Sequence, residues 1–325
     1  MIKTACRICD IDCGINFYVK DGKPVRVEGM KEHPINMGKL CPKGEAAIEY
    51  LFSPDRLKYP MKRVGEKGGG EWKRISWDEA LDTIVNKLKE TRESYGAKAV
   101  AVYQGQGVGH FENKFYMQRF CDACGFPNFH SVNSLCYSTG QMANVLTFGR
   151  LTHPHFEESK CIIVWGFEPL NSKPPAAGRN ILNAKKGAKL IVIDPRFTLS
   201  ARTADVYVRI RPGTDCALAL GMLHVIINER LYDEEFVRKW TAGFDELEKH
   251  VQDYPPKKVE EITGVPAATI RNIAEIYAET KPASIGQGNA LYLNTNGLQT
   301  SRAIFLLMAV TGNVDVPGGN VLASI

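Results

Sequence analysis

Four cysteines stand near the amino terminus, at Cys6, Cys9, Cys13 and Cys41, spaced C-x2-C-x3-C and then 27 residues to a closing Cys-Pro. Thiolates are soft donors. Three of them within eight residues, joined by a fourth from a distance, can enclose one compact polynuclear centre. Four-cysteine sets of this kind hold iron–sulfur clusters, whereas structural zinc more often takes two separated pairs. A [4Fe–4S] cluster on Cys6, Cys9, Cys13 and Cys41 is the leading reading; zinc and unliganded core thiols are the alternatives. Such a cluster moves single electrons, so redox chemistry is the first expectation.

Cys136 is the second informative cysteine. It lies in Asn133-Ser134-Leu135-Cys136-Tyr137-Ser138, just ahead of an expected helix. A thiol near a helix amino terminus is a ready soft ligand, although a free cysteine is also commonly just buried. Cys121 and Cys124 are three apart on a helical pattern and read as core positions, as do Cys161 and Cys216.

The elements that must position these groups follow from patterning. Asp21-Gly22 between two apolar runs, 17–19 and 25–27, predicts a hairpin. Ser76 with Glu79 forms a capping box for a helix whose Leu81, Ile84, Val85 and Leu88 share a face. Ala99–Tyr103 reads as a strand, running into Gly105-Gln106-Gly107-Val108-Gly109 and then a helix to about Cys124. That glycine run is not the G-x-G-x-x-G dinucleotide fingerprint. It reads as a tight loop against a ligand or a neighbouring backbone, with Gln106 a cofactor-binding candidate. Cys161–Trp165 and Lys189–Ile193 are unbroken apolar strands flanking a helix near Ala176–Lys186, a pattern that predicts a parallel sheet covered on both faces. Val206–Ile210 and Ala283–Gly286 are further strands. Helices are expected after Thr214, from Pro266 to Tyr277 and over Leu298–Val310. The predicted fold class is α/β: a small amino-terminal [4Fe–4S] domain followed by doubly wound α/β domains with parallel sheets. The expected bounds are a cluster domain over 1–57, the first part of a discontinuous α/β domain over 58–135, and a Rossmann-like nucleotide-binding domain over 136–325.

Open α/β sheets bind ligands at the carboxyl ends of their strands, and three loops qualify. They carry Gly166, Glu168 and Asn171; then Asp194 and Arg196; then Gly213, Thr214 and Asp215. Acidic groups there can accept hydrogen bonds from a ribose or a guanine edge, and arginines can face phosphates. Together the loops argue for one large nucleotide-bearing ligand.

Composition narrows the partners. Apolar residues make up 44% and charged residues 24% of 325, and the net charge is +5. The basic residues are scattered, with no aromatic-interleaved block, so no nucleic acid is implied. No apolar run reaches membrane-spanning length, so no direct membrane insertion is expected. The start Met-Ile-Lys-Thr-Ala-Cys carries no leader pattern, and the expected location is cytoplasmic.

Taken in order, these motifs resemble the amino-terminal half of the catalytic subunit of molybdopterin oxidoreductases of the dimethyl-sulfoxide-reductase type. The resemblance runs through Cys41-Pro42-Lys43-Gly44, Ile75-Ser76-Trp77-Asp78-Glu79-Ala80, Cys136, Asp194-Pro195-Arg196, Gly213-Thr214-Asp215, Thr311-Gly312-Asn313-Val314 and Pro317-Gly318-Gly319. It implies molybdenum or tungsten held by two pterin-guanine-dinucleotide dithiolenes, with Cys136 as the protein ligand to the metal. Lys43 then falls between cluster and pterin, where it also counts as a cofactor-binding residue and suits electron relay. Catalytic subunits of the family are longer, so the resemblance further implies a second subunit or a continuation supplying the carboxy-terminal half. An iron–sulfur electron-transfer partner and a small-molecule substrate are also implied. Formate dehydrogenases typically follow the metal-ligating residue with histidine; Tyr137 stands here.

Asp10, directly after Cys9, is similar to acetylene hydratase, a member that adds water without net redox change; there an aspartate beside the cluster acts as the acid. Shielding beside a cluster would raise a carboxyl pKa and make it a proton donor; an ordinary turn cap is the simpler role for Asp10. Three functions follow: a redox enzyme, a hydratase or lyase using Asp10, and a non-catalytic iron–sulfur subunit.

Overall fold

A computed structural model describes residues 1–9, 11–105 and 111–323, with the backbone alone at 111 and 112. The chain divides into two compact units, Met1–Val132 and Asn133–Ile325.

The first unit opens with an antiparallel sheet of β1 (Ile2–Ala5), β2 (Gly14–Lys20) and β3 (Lys23–Gly29), in that order. Asp21 and Gly22 both take positive φ, 49° and 75°, and Lys20 pairs with Lys23. This is the two-residue turn that an Asp-Gly step predicts, because its twist matches that of the strands. Ile15, Phe17 and Val27 pack with Cys6, Cys13 and Leu40 to close the cysteine region. A short hairpin follows, β4 (Met61–Arg63) with β5 (Trp72–Arg74).

The helix Trp77–Tyr95 starts where its capping signal places it, with Ser76 Oγ accepting from the Glu79 N–H at 3.0 Å. Its expected apolar face divides. Leu88 packs against a small core of Val100, Cys121 and Phe126, while Leu81, Ile84 and Val85 stay exposed. β6 (Ala101–Gln104) runs parallel to β7 (Asn128–Ser131), and the helix Phe111–Cys124 connects them. Cys121 is fully buried and Cys124 packs on the same core, as core thiols should.

In the second unit, β8 (Thr152–Pro154) precedes the strands of a parallel sheet: β9 (Cys161–Trp165), β10 (Lys189–Ile193), β11 (Val206–Val208) and β12 (Ala283–Gln287), in the order β11-β10-β9-β12. β13 (Asn320–Leu322) then pairs antiparallel with β8. Alternate residues serve opposite faces. Ile163, Trp165, Ile191 and Ile193 join the helices Asp215–Asn228, Ala267–Glu279 and Gly297–Val310 in the larger core. Ile162, Val164, Leu190 and Val192 face Phe156, Ile181 and Ala201 on the other side. Both faces are covered, which is why the strands read as unbroken apolar runs.

The free edge of β12 is closed by two buried amides. Asn313 Oδ1 accepts from the Ala283 N–H at 2.9 Å; Asn320 Oδ1 accepts from the Ile285 N–H at 2.9 Å and its Nδ2 donates to the Ile285 carbonyl at 3.0 Å. The Thr311–Asn313 and Pro317–Asn320 segments thus satisfy an edge that a further strand would otherwise pair.

Candidate functional site

Two groups of residues can do chemistry, one in each unit. In the first, Cys6 and Cys13 are buried and Cys9 and Cys41 half-buried. The Cys6–Cys13 loop closes on itself through the Cys6 N–H to the Cys13 carbonyl at 2.8 Å. Cys41 is the N-cap of the short helix Pro42–Glu45. At Gly44, in that helix, an added Cβ would lie 3.9 Å from Cys6 Sγ, so the helix runs close over the loop.

Burial, and then the neighbouring Cys9, Cys6 and Cys41, push the Cys13 thiol up to about 11. The four sulfurs therefore share one electrostatic neighbourhood. Four thiolates there would repel one another in a poorly solvated pocket, and bound cationic iron is what offsets that repulsion. The donor set fits an iron–sulfur cluster. As the side chains stand, no group of three or more His, Cys, Asp or Glu among the described residues is gathered tightly enough to hold a metal ion. Lys43 is exposed on the Pro42–Glu45 helix. Asp10 and Gln106 lie outside the described residues. Asp12, two residues on, turns an oxygen into the interior, where Oδ1 is buried without a hydrogen-bond partner.

The second group gathers at the carboxyl ends of β9, β10 and β12. β10 and β12 flank β9 on opposite sides, so the chain reverses its winding between β9 and β12. Such a switch point opens a crevice that open α/β sheets use for ligands. Gly166 leaves β9 with φ 58°, and Gly288 leaves β12 so close to it that an added Cβ would sit 1.7 Å from the Gly166 carbonyl oxygen. Only glycine permits that approach.

Cys136 ends the short helix Asn133–Cys136 and precedes the helix Ser138–Phe148. Asn289, one residue beyond Gly288, donates from Nδ2 to Cys136 Sγ at 3.4 Å. Tyr292 stacks edge-on against Tyr137 at 6.0 Å, and its hydroxyl donates to the Gln287 carbonyl at 3.3 Å. Gly140 makes room for it, since a Cβ there would meet the Tyr292 ring at 3.0 Å. Burial holds the Tyr292 phenol well above its ordinary range, so it acts as a neutral donor.

The three strand-end loops sit at the same end of the sheet. Asp194 is 3% exposed; its Oδ1 accepts from the Arg196 N–H at 2.8 Å, and the guanidinium of Arg196 reaches into solvent. Asp215 Oδ1 accepts from Trp165 Nε1 at 2.8 Å. Desolvation raises the Asp215 carboxyl above the usual carboxylate range, against the lowering effect of that indole bond. Glu168 binds Ser200 with both oxygens, accepting from Oγ at 2.9 Å and from the N–H at 3.1 Å. Asn171 is exposed on the short helix Pro169–Ser172. Gly213 turns at φ 82°, and Thr214, at the N-cap position, donates its hydroxyl to the Arg211 carbonyl at 2.6 Å instead of capping the helix.

Sequence reasoning missed Gln287, Asn289 and Tyr292. Gln287 faces Trp165 across the β12–β9 register, and both its amide atoms are buried with no hydrogen-bond partner. An orphaned amide at a switch point, with acidic groups and an exposed arginine at the neighbouring strand ends, fits a polar heterocycle carrying phosphates.

Comparison with known proteins bears on both groups. Residues 56–324 match the family model described as molybdopterin oxidoreductase, and residues 1–53 match its Fe4S4 domain. Acetylene hydratase of Syntrophotalea acetylenica is 38% identical over 98% of this chain and 44% of its own length. Formate dehydrogenase H of Escherichia coli is 36% identical over 98% of this chain and 46% of its own length. The solved structure of acetylene hydratase from Pelobacter acetylenicus superposes with a TM-score of 0.85 at 37% identity, covering 99% of this chain and 45% of that one. The chain spans about half the length of the curated relatives it matches.

Proposed function

Because the chain belongs to the molybdopterin oxidoreductase family, we propose that it is the amino-terminal half of a redox enzyme whose metal is ligated by Cys136. A molybdopterin cofactor and a [4Fe–4S] cluster go with the family; we assign the pterin its bis-guanine-dinucleotide form with molybdenum or tungsten. When bound, that centre supplies exchange of electrons, with oxygen-atom, sulfur or hydride transfer, to a small-molecule substrate, and the cluster supplies single-electron storage.

The observation that carries this reading is the placement of Cys136 beside Asn289, at the crevice between β9 and β12. The chain's own residues then have distinct tasks. Cys136 offers a thiolate, and Asn289 fixes its direction by donating to the sulfur. Asp194 and Asp215 present hydrogen-bond acceptors at neighbouring strand ends. Arg196, exposed and with its Nε 3.5 Å from Asp194 Oδ1, offers a cation to phosphates. Gly213 and Thr214 lead into the helix Asp215–Asn228, whose first turn offers backbone N–H donors to an anion, although the Thr214 N–H itself donates to the Arg211 carbonyl at 3.3 Å. Lys43 is the residue we assign to the electron relay, because it follows Cys41 by two positions. A polypeptide corresponding to the rest of the relatives' length completes the site, and an iron–sulfur protein accepts or delivers electrons.

Turnover of the protein together with that complementing half tests the reading. Activity should depend on an electron carrier and fall steeply in Lys43→Met. Full turnover of that variant with its carrier removes the relay role. A second reading is favoured by the similarity to acetylene hydratase, seen both in sequence and in solved structure. In that case Asp10 acts as the acid, the cluster is electrostatic, no acceptor is needed, and Asp10→Ala abolishes activity. Strict dependence on an acceptor overturns the hydratase reading.

A further inference from the structure

The fourth cysteine of the cluster set is separated from the third by 27 intervening residues, and something must bring it back. The segment from Gly29 to Cys41 folds over the start of β2. The Met30 N–H donates to the Gly14 carbonyl at 2.8 Å and the Gly38 N–H to the Met30 carbonyl at 2.8 Å. Packing is tight: a Cβ at Gly14 would meet the His33 ring at 2.7 Å, and one at Gly29 would lie 2.4 Å from the Gly38 oxygen.

At the centre of this fold-over is Asn36, which is 0% exposed. Its Oδ1 accepts from the Gly14 N–H at 2.8 Å, and its Nδ2 donates to the Gly14 carbonyl at 3.1 Å and to the Lys39 carbonyl at 2.8 Å. Its own carbonyl accepts from the Lys39 N–H at 2.7 Å. Gly14 directly follows Cys13, and Lys39 precedes Cys41 by two residues. One buried amide therefore ties the backbone beside the third ligand to the backbone beside the fourth. An amide suits this position because it must accept once and donate twice; aspartate would set its charge against two carbonyls, and alanine would take their partner from the Gly14 N–H and the Lys39 carbonyl.

We propose that Asn36 is a positioning residue that holds Cys41 within reach of the three thiols of the Cys6–Cys13 loop, so that the cluster keeps its fourth iron. This rests on the reading of the four cysteines as a [4Fe–4S] site. The Cys6–Cys13 loop is closed by its own backbone bond. Loss of Asn36 therefore leaves three ligands together and releases the fourth.

The experiment uses anaerobically purified, cluster-loaded protein, with iron counted per chain and the cluster observed by electron paramagnetic resonance. Wild-type protein, Asn36→Ala, Asn36→Ser and Cys41→Ser are compared before and after ferricyanide. In the reaction followed, [4Fe–4S]2+ gives one electron to ferricyanide and one Fe2+ to solution, leaving [3Fe–4S]1+. Wild-type protein should hold about four iron atoms and show the three-iron signal only after oxidant. Asn36→Ala should hold about three iron atoms as purified, as [3Fe–4S]0, and show the full three-iron signal once ferricyanide takes one electron to give [3Fe–4S]1+, with no further iron released, matching Cys41→Ser. Asn36→Ser, which keeps a polar group at the position, should convert with less oxidant than the wild type. Two results overturn the proposal. One is Asn36→Ala and Asn36→Ser with four iron atoms and the wild-type oxidant response. The other is loss of all iron from both Asn36 variants while Cys41→Ser retains three. Should wild-type protein itself load no four-iron cluster, the cluster reading fails, and this inference fails with it.

Discussion

Around the cysteines of the first unit the buried apolar interior is Cys6, Cys13 and Ile15, whereas the sheet of the second unit carries a continuous apolar interior on each face. The two regions are thus held by different forces. β9 and β10 are fixed by burial that no ligand needs to supply. The β1–β3 sheet has too little apolar surface to be fixed that way, so its order is expected to depend on metal coordination. The lesson concerns how each site is built. The cluster site is expected to need its ligand for lasting order, with Asn36 placing the fourth cysteine, whereas the crevice at β9 and β12 is held by the fold itself.

Removal of iron should break the symmetry of the molecule most. Amide hydrogen exchange in β1, β2 and β3 is expected to quicken by roughly 100-fold or more in the iron-free protein, with β9 and β10 unchanged. Equal protection of β1–β3 with and without iron would erase the contrast. The next largest effect belongs to the second unit. Asn320→Ala leaves the Ile285 N–H and carbonyl unpaired at a buried edge and should cost about 2–3 kcal/mol in urea unfolding. Exchange in β1–β3 should not respond. Ser76→Ala removes the cap of Trp77–Tyr95 and should cost about 1 kcal/mol, seen as faster exchange confined to the first turns of that helix.

The smallest effect is a pH dependence. The Asp215 carboxyl is raised in the folded protein by desolvation. Its contribution to stability is fully present below the ordinary aspartate value, about 3.9, and is lost as pH rises through the higher folded value. Asp215→Asn should therefore gain on the wild type as pH rises through that window and keep a constant lead above it. Unfolding midpoints measured from about pH 4 to about pH 8 check the sign. A lead that shrinks with rising pH contradicts it.

Much of this was legible in the residues. Cys161–Trp165 and Lys189–Ile193 form strands with the bounds their apolar runs predict, because burial on both faces removes any ambiguity of pattern. The Asp21-Gly22 turn and the Ser76 cap are local chemistry, and local chemistry is readable. β8 and β13 are three residues each, too short for any period to show. Leu81, Ile84 and Val85 display a helical stripe that does not report whether a partner covers it. The liganding cysteines announced themselves by spacing. The residues around Cys136 did not, because Asn289 lies 153 positions away and is brought back only by the order of the strands. Asn36 looks like an ordinary turn residue until its three hydrogen bonds are counted.

The most direct test of the central claim is X-ray absorption at the molybdenum or tungsten edge. It should be made on the protein assembled with its complementing half, as wild type and as Cys136→Ser, with iron and zinc determined on the same samples. Iron together with molybdenum or tungsten, and one sulfur neighbour fewer around the heavy metal in Cys136→Ser, is the predicted result. An unchanged sulfur shell would remove Cys136 from the metal, and zinc in place of iron would contradict the account at its root.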